Sequence, residues 1–386
     1  MENVKKKTRL IHIITGLNTG GAEWALYNLL YGGLADHFNC HVISLSDEGM
    51  MGPQIEALGV PLYILRMRAG RPSFCGFGML RRVVGEFQPD IVQGWMYHGN
   101  LMANLARILA PERPVLAWNI RQSLYDFGRE KLMTRQIIRA NRFLSSAPDV
   151  LLYNSQISRK QHEDFGFALQ HGYIIPNGID VQKFSFSSVS RQYVRSKLAI
   201  PADALVVGHV ARLHPMKDHP CFLRAASGLA LRQPQAHFLL CGRGVLPENK
   251  MLEQLIHAQV RDRFHFLGER SDVSDLMSAM DIFCQSSWSE AFSNVLGEAM
   301  AVGVPCVATD VGDSAIIIGD TGVVVPPQDE NALAAGIESL LTMAQEDRRS
   351  LGTNARVRIE ANFALGSVVK QYAALYEKLM QKKGTG

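Results

Sequence analysis

Short apolar runs alternate with amphipathic stretches along most of the chain, and they fall into two successive series. In the first, Leu10 to Ile14, His41 to Ser46, Pro61 to Leu65, Ile91 to Gln93, Val115 to Asn119, Val150 to Asn154 and Tyr173 to Ile175 read as strands. Runs apolar at consecutive positions, and not merely at alternate ones, fit strands covered on both faces, as in a parallel sheet flanked by helices. Helical spacing fills the gaps, at about 22–30, 51–58 and 77–87, and again behind Gly94 to Asn100 and through Arg135, Arg139 and Arg142. The stretch from Asp180 to Ala204 is polar, Ser-rich and weakly periodic, which suits a linker followed by a first helix. A second series then begins at Leu205 to Val210 and continues with Ala236 to Cys241, Phe264 to Leu267, Ile282 to Gln285, Cys306 to Ala308 and Gly322 to Val325. Helices are expected at about 329–343, 347–361 and 363–380. The pattern predicts an α/β chain with two Rossmann-like domains.

Composition narrows this little further. A chain of 386 residues with 47% hydrophobic and 20% charged residues suits two ordinary cores and excludes a disordered protein. No apolar run reaches the roughly 18 residues needed to span a bilayer. The start, MENVKKKTRLIHIITG, passes into a strand without the apolar segment and cleavage site of a signal peptide, so a cytoplasmic protein is expected. The six cysteines are scattered with no C-x-x-C pair, which suits free thiols. The net charge of +4 sits wholly in residues 1–180, where 19 Lys/Arg face 15 Asp/Glu. Within Arg66 to Arg142, 13 basic and 5 acidic residues are interleaved with Phe, Leu and Met. That run is either a basic face for an anionic membrane or lipid-diphosphate acceptor, or an ordinary solvated face.

Candidate chemistry concentrates between Trp288 and Pro327. Glu290 precedes a short helix and Glu298 lies within it, and eight steps at about 100° return a side chain to within roughly 80° of its start, so both can border one cleft. Between them, the N–H groups of Phe292, Ser293 and Asn294 at the helix start offer a seat for a diphosphate. Gly303, Val304 and Pro305 stop the helix, and Thr309 to Asp313 form a polar turn at the end of a buried strand, the edge where ligands bind in open α/β sheets. Arg212 and Lys217, in the loop after the second series' first strand, are either surface cations or a clamp for a pyrophosphate. In the first series, Gly20 and Gly21 open a helix where backbone can approach an anion. His98 follows a strand, either as a structural imidazole or as a donor to a reacting oxygen. The G-x-G-x-x-G fingerprint fails at both Gly-rich loops, there is no P-loop, and no Asp-x-Asp implies a metal-bridged diphosphate. No metal site and no cofactor are expected.

These segments together resemble the GT-B glycosyltransferases of family 4. The block from Glu290 to Glu298 with its small-residue helix and Gly turn is similar to that family's E-x7-E donor signature. Gly208 to His219, GHVARLHPMKDH, resembles its strand and loop with two cations. Gly16 to Glu23, GLNTGGAE, resembles its first loop, and Ile175 to Asp180, IPNGID, the segment before the interdomain linker. The resemblance implies domains at 1–182 (with the last helix, about 364–386, crossing back) and 183–363, facing a central cleft. The first would bind the acceptor and the second the nucleotide sugar.

It also implies retaining transfer of a sugar from a nucleotide-diphosphate donor, UDP-sugar first, to a hydroxyl of a glycan or lipid-linked oligosaccharide in cell-surface polysaccharide synthesis. Arg212 and Lys217 would hold the diphosphate, Glu298 the ribose hydroxyls and Glu290 the sugar. Gly20 and Gly21 would face the donor, His98 would line the cleft, and Arg270 would stand beside the nucleobase. The acceptor would be met by the basic first domain, with peripheral contact to the inner membrane surface and no nucleic-acid partner. Two departures bear on the sugar pocket: Ala291 follows the first Glu where the family has Gly, and Ile316 stands where an acidic residue often follows the Gly turn. A GT-B epimerase or hydrolase, or a non-catalytic glycan- or partner-binding protein, remain alternatives.

Overall fold

The structure, a computed structural model, describes residues 7–384 apart from Thr19, 68–72, Asp126 and Glu130. Thr19 of the first Gly-rich loop and residues 68–72 of the basic run therefore lie outside the described residues. The chain divides into two compact units, Met1–Gly178 with Leu365–Gly386, and Ile179–Ala364.

Among the described residues the first unit holds a seven-stranded parallel sheet: β1 (Arg9–Ile14), β2 (Asn39–Ser44), β3 (Leu62–Ile64), β4 (Ile91–Trp95), β5 (Val115–Ile120), β6 (Val150–Tyr153) and β7 (Gly172–Ile174), in the order β3-β2-β1-β4-β5-β6-β7. Every residue of β4, β5 and β6 is buried, which is why these strands read as largely apolar runs. His12 on β1 is a buried polar residue, accepting a hydrogen bond from the Trp95 indole at 3.1 Å. Burial pushes its imidazole down to about 3, so it is a neutral core residue.

Three helices of this unit matter below: α1 (Gly21–Leu29) after β1, α2 (Met96–Leu109) after β4, and α3 (Leu132–Leu144) after β5. The last helix of the chain packs here too. Its Tyr376 is fully buried, donates its hydroxyl proton to Gln93 on β4, and meets Phe38 edge to face at 5.4 Å. The expected return of this helix to the first domain is thus found.

The second unit repeats the design with six parallel strands among the described residues: β8 (Leu205–Val210), β9 (Ala236–Cys241), β10 (Phe264–Phe266), β11 (Ile282–Gln285), β12 (Cys306–Thr309) and β13 (Gly322–Val325), ordered β10-β9-β8-β11-β12-β13. In both sheets the order reverses direction beside the first strand of the unit, and the crevice at such a switch point, outside the carboxyl ends of the strands, is where open α/β sheets bind ligands. The helix Asn294–Val302 runs between β11 and β12 and ends on Gly303 in the left-handed region, φ 85°, as its sequence predicts.

Candidate functional site

In the second unit, the carboxyl ends of β8, β11 and β12 are laced together by side chains. Ser286, just past β11, donates to the carbonyls of Lys217 and Asp218 at 2.9 and 3.1 Å. The Trp288 indole N–H reaches the Pro215 carbonyl at 2.9 Å, and Thr309 at the end of β12 donates to the Ser287 carbonyl. Asp218, itself left-handed at φ 46°, caps the helix His219–Arg232 by accepting from the Cys221 amide at 3.2 Å. The loop that carries Lys217 is therefore pinned at both ends.

That lacing brings Lys217 and Glu290 into direct contact, 73 residues apart in sequence, with the ammonium donating to Glu290 Oε1. Ser287 donates to the same oxygen at 2.7 Å. The two side chains keep only 23% and 13% of their exposure, so the pair is largely desolvated. Gly312 backs it up. Its φ is +58°, and a Cβ there would stand 2.4 Å from the Ala291 carbonyl and 2.7 Å from that of Glu290. The Gly turn after β12 thus braces the Glu290 loop from behind.

Arg212, in the same loop as Lys217, is exposed and has no hydrogen-bond or ion-pair partner among the described residues. Ser293 is the N-cap and Asn294 the first helical residue, so the helix starts where the sequence places it. The Ser293 hydroxyl is buried without a partner and makes no capping bond, so the amides of this helix end are not closed off by it. Phe292 turns its ring into the core, edge to face with Phe363 at 5.6 Å, which leaves only its backbone for any ligand.

Glu298 lies on the same helix, half-buried, with no hydrogen-bond partner among the described residues. Burial pushes its carboxyl up to about 7, opposed by Lys183. Between the ordinary value of 4.5 and about 7 the folded chain holds a proton that the unfolded chain has released. Stability conferred by this group therefore falls as pH rises through that window. Glu298→Gln is expected to remove that slope and to raise stability near pH 8 by roughly 1–3 kcal/mol. Parallel melting-temperature curves for the two proteins between about pH 4.5 and 8 would contradict this.

Arg270 is placed less favourably than expected. It is exposed and forks onto Asp272 at 2.8 and 2.6 Å, so its guanidinium already has a carboxylate.

In the first unit, Gly20 is the N-cap of α1 and makes no side-chain cap. Gly21 has no heavy atom within 4 Å of a would-be Cβ and no positive φ. Nothing in the protein itself requires a glycine there. His98 is exposed in the first turn of α2, and the surrounding protein still lowers its pKa below the ordinary imidazole value. It has no hydrogen-bond partner among the described residues. Met96, two residues before it, holds φ +61°, a strained value for a non-glycine. A Cβ on Gly99 would stand 2.4 Å from the Ile13 carbonyl, so the start of α2 is pressed against β1. His98 is thereby fixed near the switch point of this sheet.

Two family models match consecutive parts of the chain, Glycosyltransferase Family 4 over residues 19–183 and Glycosyl transferases group 1 over residues 204–343. The chain is a GT-B glycosyltransferase of family 4. This glycosyltransferase is 25% identical over 317 residues to EpsF of Bacillus subtilis (strain 168), which carries a glycosyltransferase name, covering 78% of this chain and 79% of that one. It is 29% identical over 219 residues to the lipopolysaccharide core biosynthesis mannosyltransferase LpsB of Rhizobium meliloti, covering 54% and 61% of the two chains. The match therefore spans less than two thirds of that second relative. Among solved structures, Anabaena HepE in complex with UDP superposes with a TM-score of 0.84 at 23% identity, over 96% of this chain and all of that one, a likeness of fold. WaaG, described as a glycosyltransferase of lipopolysaccharide biosynthesis, gives 0.71 at 18% identity over 95% and 99%. For this glycosyltransferase a non-catalytic reading is set aside.

The direct contact of Lys217 with Glu290 and the supporting roles of Ser287 and Trp288 are not legible in the sequence. The Gly turn at Gly312 was visible, but not what it presses on. Long-range contacts of this kind leave no local spacing signal.

Proposed function

We propose that this glycosyltransferase moves a hexosyl group, with retention, from a UDP-sugar to a hydroxyl of a glycan or lipid-linked oligosaccharide in cell-surface polysaccharide synthesis. The carrying observation is the Lys217–Glu290 pair in the loop of Arg212, which has no hydrogen-bond or ion-pair partner among the described residues, together with a helix start that the Ser293 hydroxyl does not cap. Two cations and helix amides suit a diphosphate leaving group, whose charge grows as the glycosidic bond breaks. A diphosphate arriving at Lys217 competes with Glu290 for the ammonium, which turns the Glu290 carboxylate towards the sugar hydroxyls. Glu298, without a hydrogen-bond partner among the described residues, takes the ribose hydroxyls. Retention proceeds on one face, with the leaving phosphate taking the acceptor's proton. HepE complexes with UDP and UDP-glucose support the choice of donor, and the LpsB name supports the choice of pathway.

The test is nucleotide release from UDP-, GDP- and ADP-sugars with and without a lipid-linked acceptor, with the product anomer read by NMR. Acceptor-dependent release from a UDP-sugar with an unchanged anomer is expected. An inverted product removes the retaining mechanism, and acceptor-independent release points to a hydrolase.

Contact with the inner membrane surface belongs to the same proposal. No helix of the described residues is long and apolar enough to cross a membrane. On α3, however, Leu132, Gln136, Arg139 and Phe143 are all exposed, and their spacing puts them on one face, Phe143 at 85% exposure. Arg135, Arg139 and Arg142 are the charges of this helix, which carries no carboxylate. Apolar tips among fixed cations suit an anionic lipid surface. Flotation with phosphatidylglycerol vesicles but not phosphatidylcholine ones is expected, and Arg139→Glu/Phe143→Ser should abolish it. Equal flotation of wild type and variant would contradict the assignment.

A further inference from the structure

Arg121 follows directly on β5 in the first unit, and its side chain is half-buried. Three other arginines of this unit face carboxylates: Arg9 pairs with Asp90, Arg107 with Asp149 and Arg159 with Glu163. Arg121 has only neutral partners among the described residues. Its Nη1 donates to Asn119 Oδ1 at 3.2 Å and to the Tyr372 hydroxyl at 3.0 Å, and its Nη2 donates to Asn177 Oδ1. The guanidinium lies over the Trp95 ring, 5.3 Å from its centroid. Asn119 and Asn154 brace the acceptors in turn, donating to Tyr372 and Asn177 at 3.0 and 3.4 Å.

This frame fixes a cation without neutralising it. Three of the five guanidinium N–H bonds are used; Nε is buried with no partner, and one N–H of Nη2 remains. A buried donor on a charged group left unmade is costly, and native structures keep few of them. Two free donors on adjacent nitrogens of a held, planar group match two oxygens of one oxyanion. The place fits a ligand as well. The strand order sets the ends of β1, β4, β5 and β6 side by side, so the loops bearing Gly20 and Gly21, then His98, then Arg121 follow one another along a single sheet edge.

We infer that Arg121 anchors an oxyanion site in the first unit, receiving a phosphate or carboxylate carried by one of the substrates of the transfer. Only the word substrate rests on the proposed function; the anion site itself stands on the geometry of this unit.

The probe is inorganic phosphate, titrated by thermal shift into the Arg212→Ala/Lys217→Ala protein so that the cations of the second unit do not contribute. A saturable rise in melting temperature is expected. It should be lost in Arg121→Gln and weakened roughly tenfold in Arg121→Lys, which keeps the charge and loses the fork. Tyr372→Phe removes a structural partner, keeps the cation and should retain the response; should Arg121→Gln fail to fold, the comparison of Arg121→Lys with Tyr372→Phe decides. An equal phosphate response in the Arg121 variants, or none in the parent protein, overturns the inference. A second arm titrates UDP into Arg121→Lys with the other cations intact. Affinity lowered about tenfold assigns the oxyanion to the donor; unchanged UDP affinity with a raised KM for a phosphorylated acceptor assigns it to the acceptor. A protein that responds to phosphate through Arg121 but binds no nucleotide keeps this inference and loses the proposed function.

Discussion

Lys217→Ala is expected to lower the transfer rate by about a hundred- to a thousandfold and to destabilise the second unit at the same time. The catalytic loss follows from the proposed role of Lys217 as a fixed cation facing the charge that develops on the leaving group. The stability loss has a separate origin. Without the ammonium, Glu290 remains largely desolvated with Ser287 as a hydrogen-bond donor. Breaking a fully buried pair costs about 3–5 kcal/mol, and the residual exposure here brings the figure to roughly 1–3 kcal/mol. The double variant Lys217→Ala/Glu290→Gln separates the two effects: denaturant melts should recover much of the loss while transfer stays low. If activity returns together with stability, Lys217 is a structural partner of Glu290 and nothing more.

The second large effect is expected at Gly312. Alanine there forces a left-handed residue, costing roughly 1–3 kcal/mol by itself, and drives a methyl to 2.4 Å from the Ala291 carbonyl. The backbone of the Glu290 loop must move, so stability and transfer fall together. Gly21→Ala provides the contrast. A methyl at Gly21 meets no heavy atom within 4 Å, and alanine suits the first turn of a helix, so the melting temperature should hold or rise. A drop in kcat/KM for Gly21→Ala without loss of stability would mark a ligand approaching that backbone. A Gly312→Ala protein as stable and active as wild type would remove the bracing role argued above.

The strands were legible because both faces of each sheet are covered. Cys306 to Ala308 was a continuous apolar run and Leu10 to Ile14 one broken only by His12, and they lie in β12 and β1 with every residue beyond Arg9 buried. Helix ends were legible where one residue type decides them, as Gly303 does. The chain after α1 was not: the expected helix stops at Leu30, whereas the backbone runs on through a wider turn at Leu30–Leu34, with Gly33 at φ 109°. Two glycines hid that continuation.

At the candidate site, single residues were readable and their pairings were not. Lys217 and Glu290 were each singled out, in separate roles, although the fold joins them. Arg121 was legible only as one member of the basic run from Arg66 to Arg142, because its partners Tyr372 and Asn177 stand 251 and 56 residues away and no motif links them. The Arg270–Asp272 pair, two residues apart, is the opposite case: a local partner was visible in the sequence and weakens the role given to Arg270.

The measurement that bears most directly on the account is calorimetric titration of UDP, with GDP and ADP alongside, into wild type and Arg212→Ala/Lys217→Ala. Saturable binding of one nucleoside diphosphate per chain, weakened at least about tenfold in the double variant, is the expected result. Equal affinity in both proteins, or no binding of any of the three, would contradict a donor site built on these two cations.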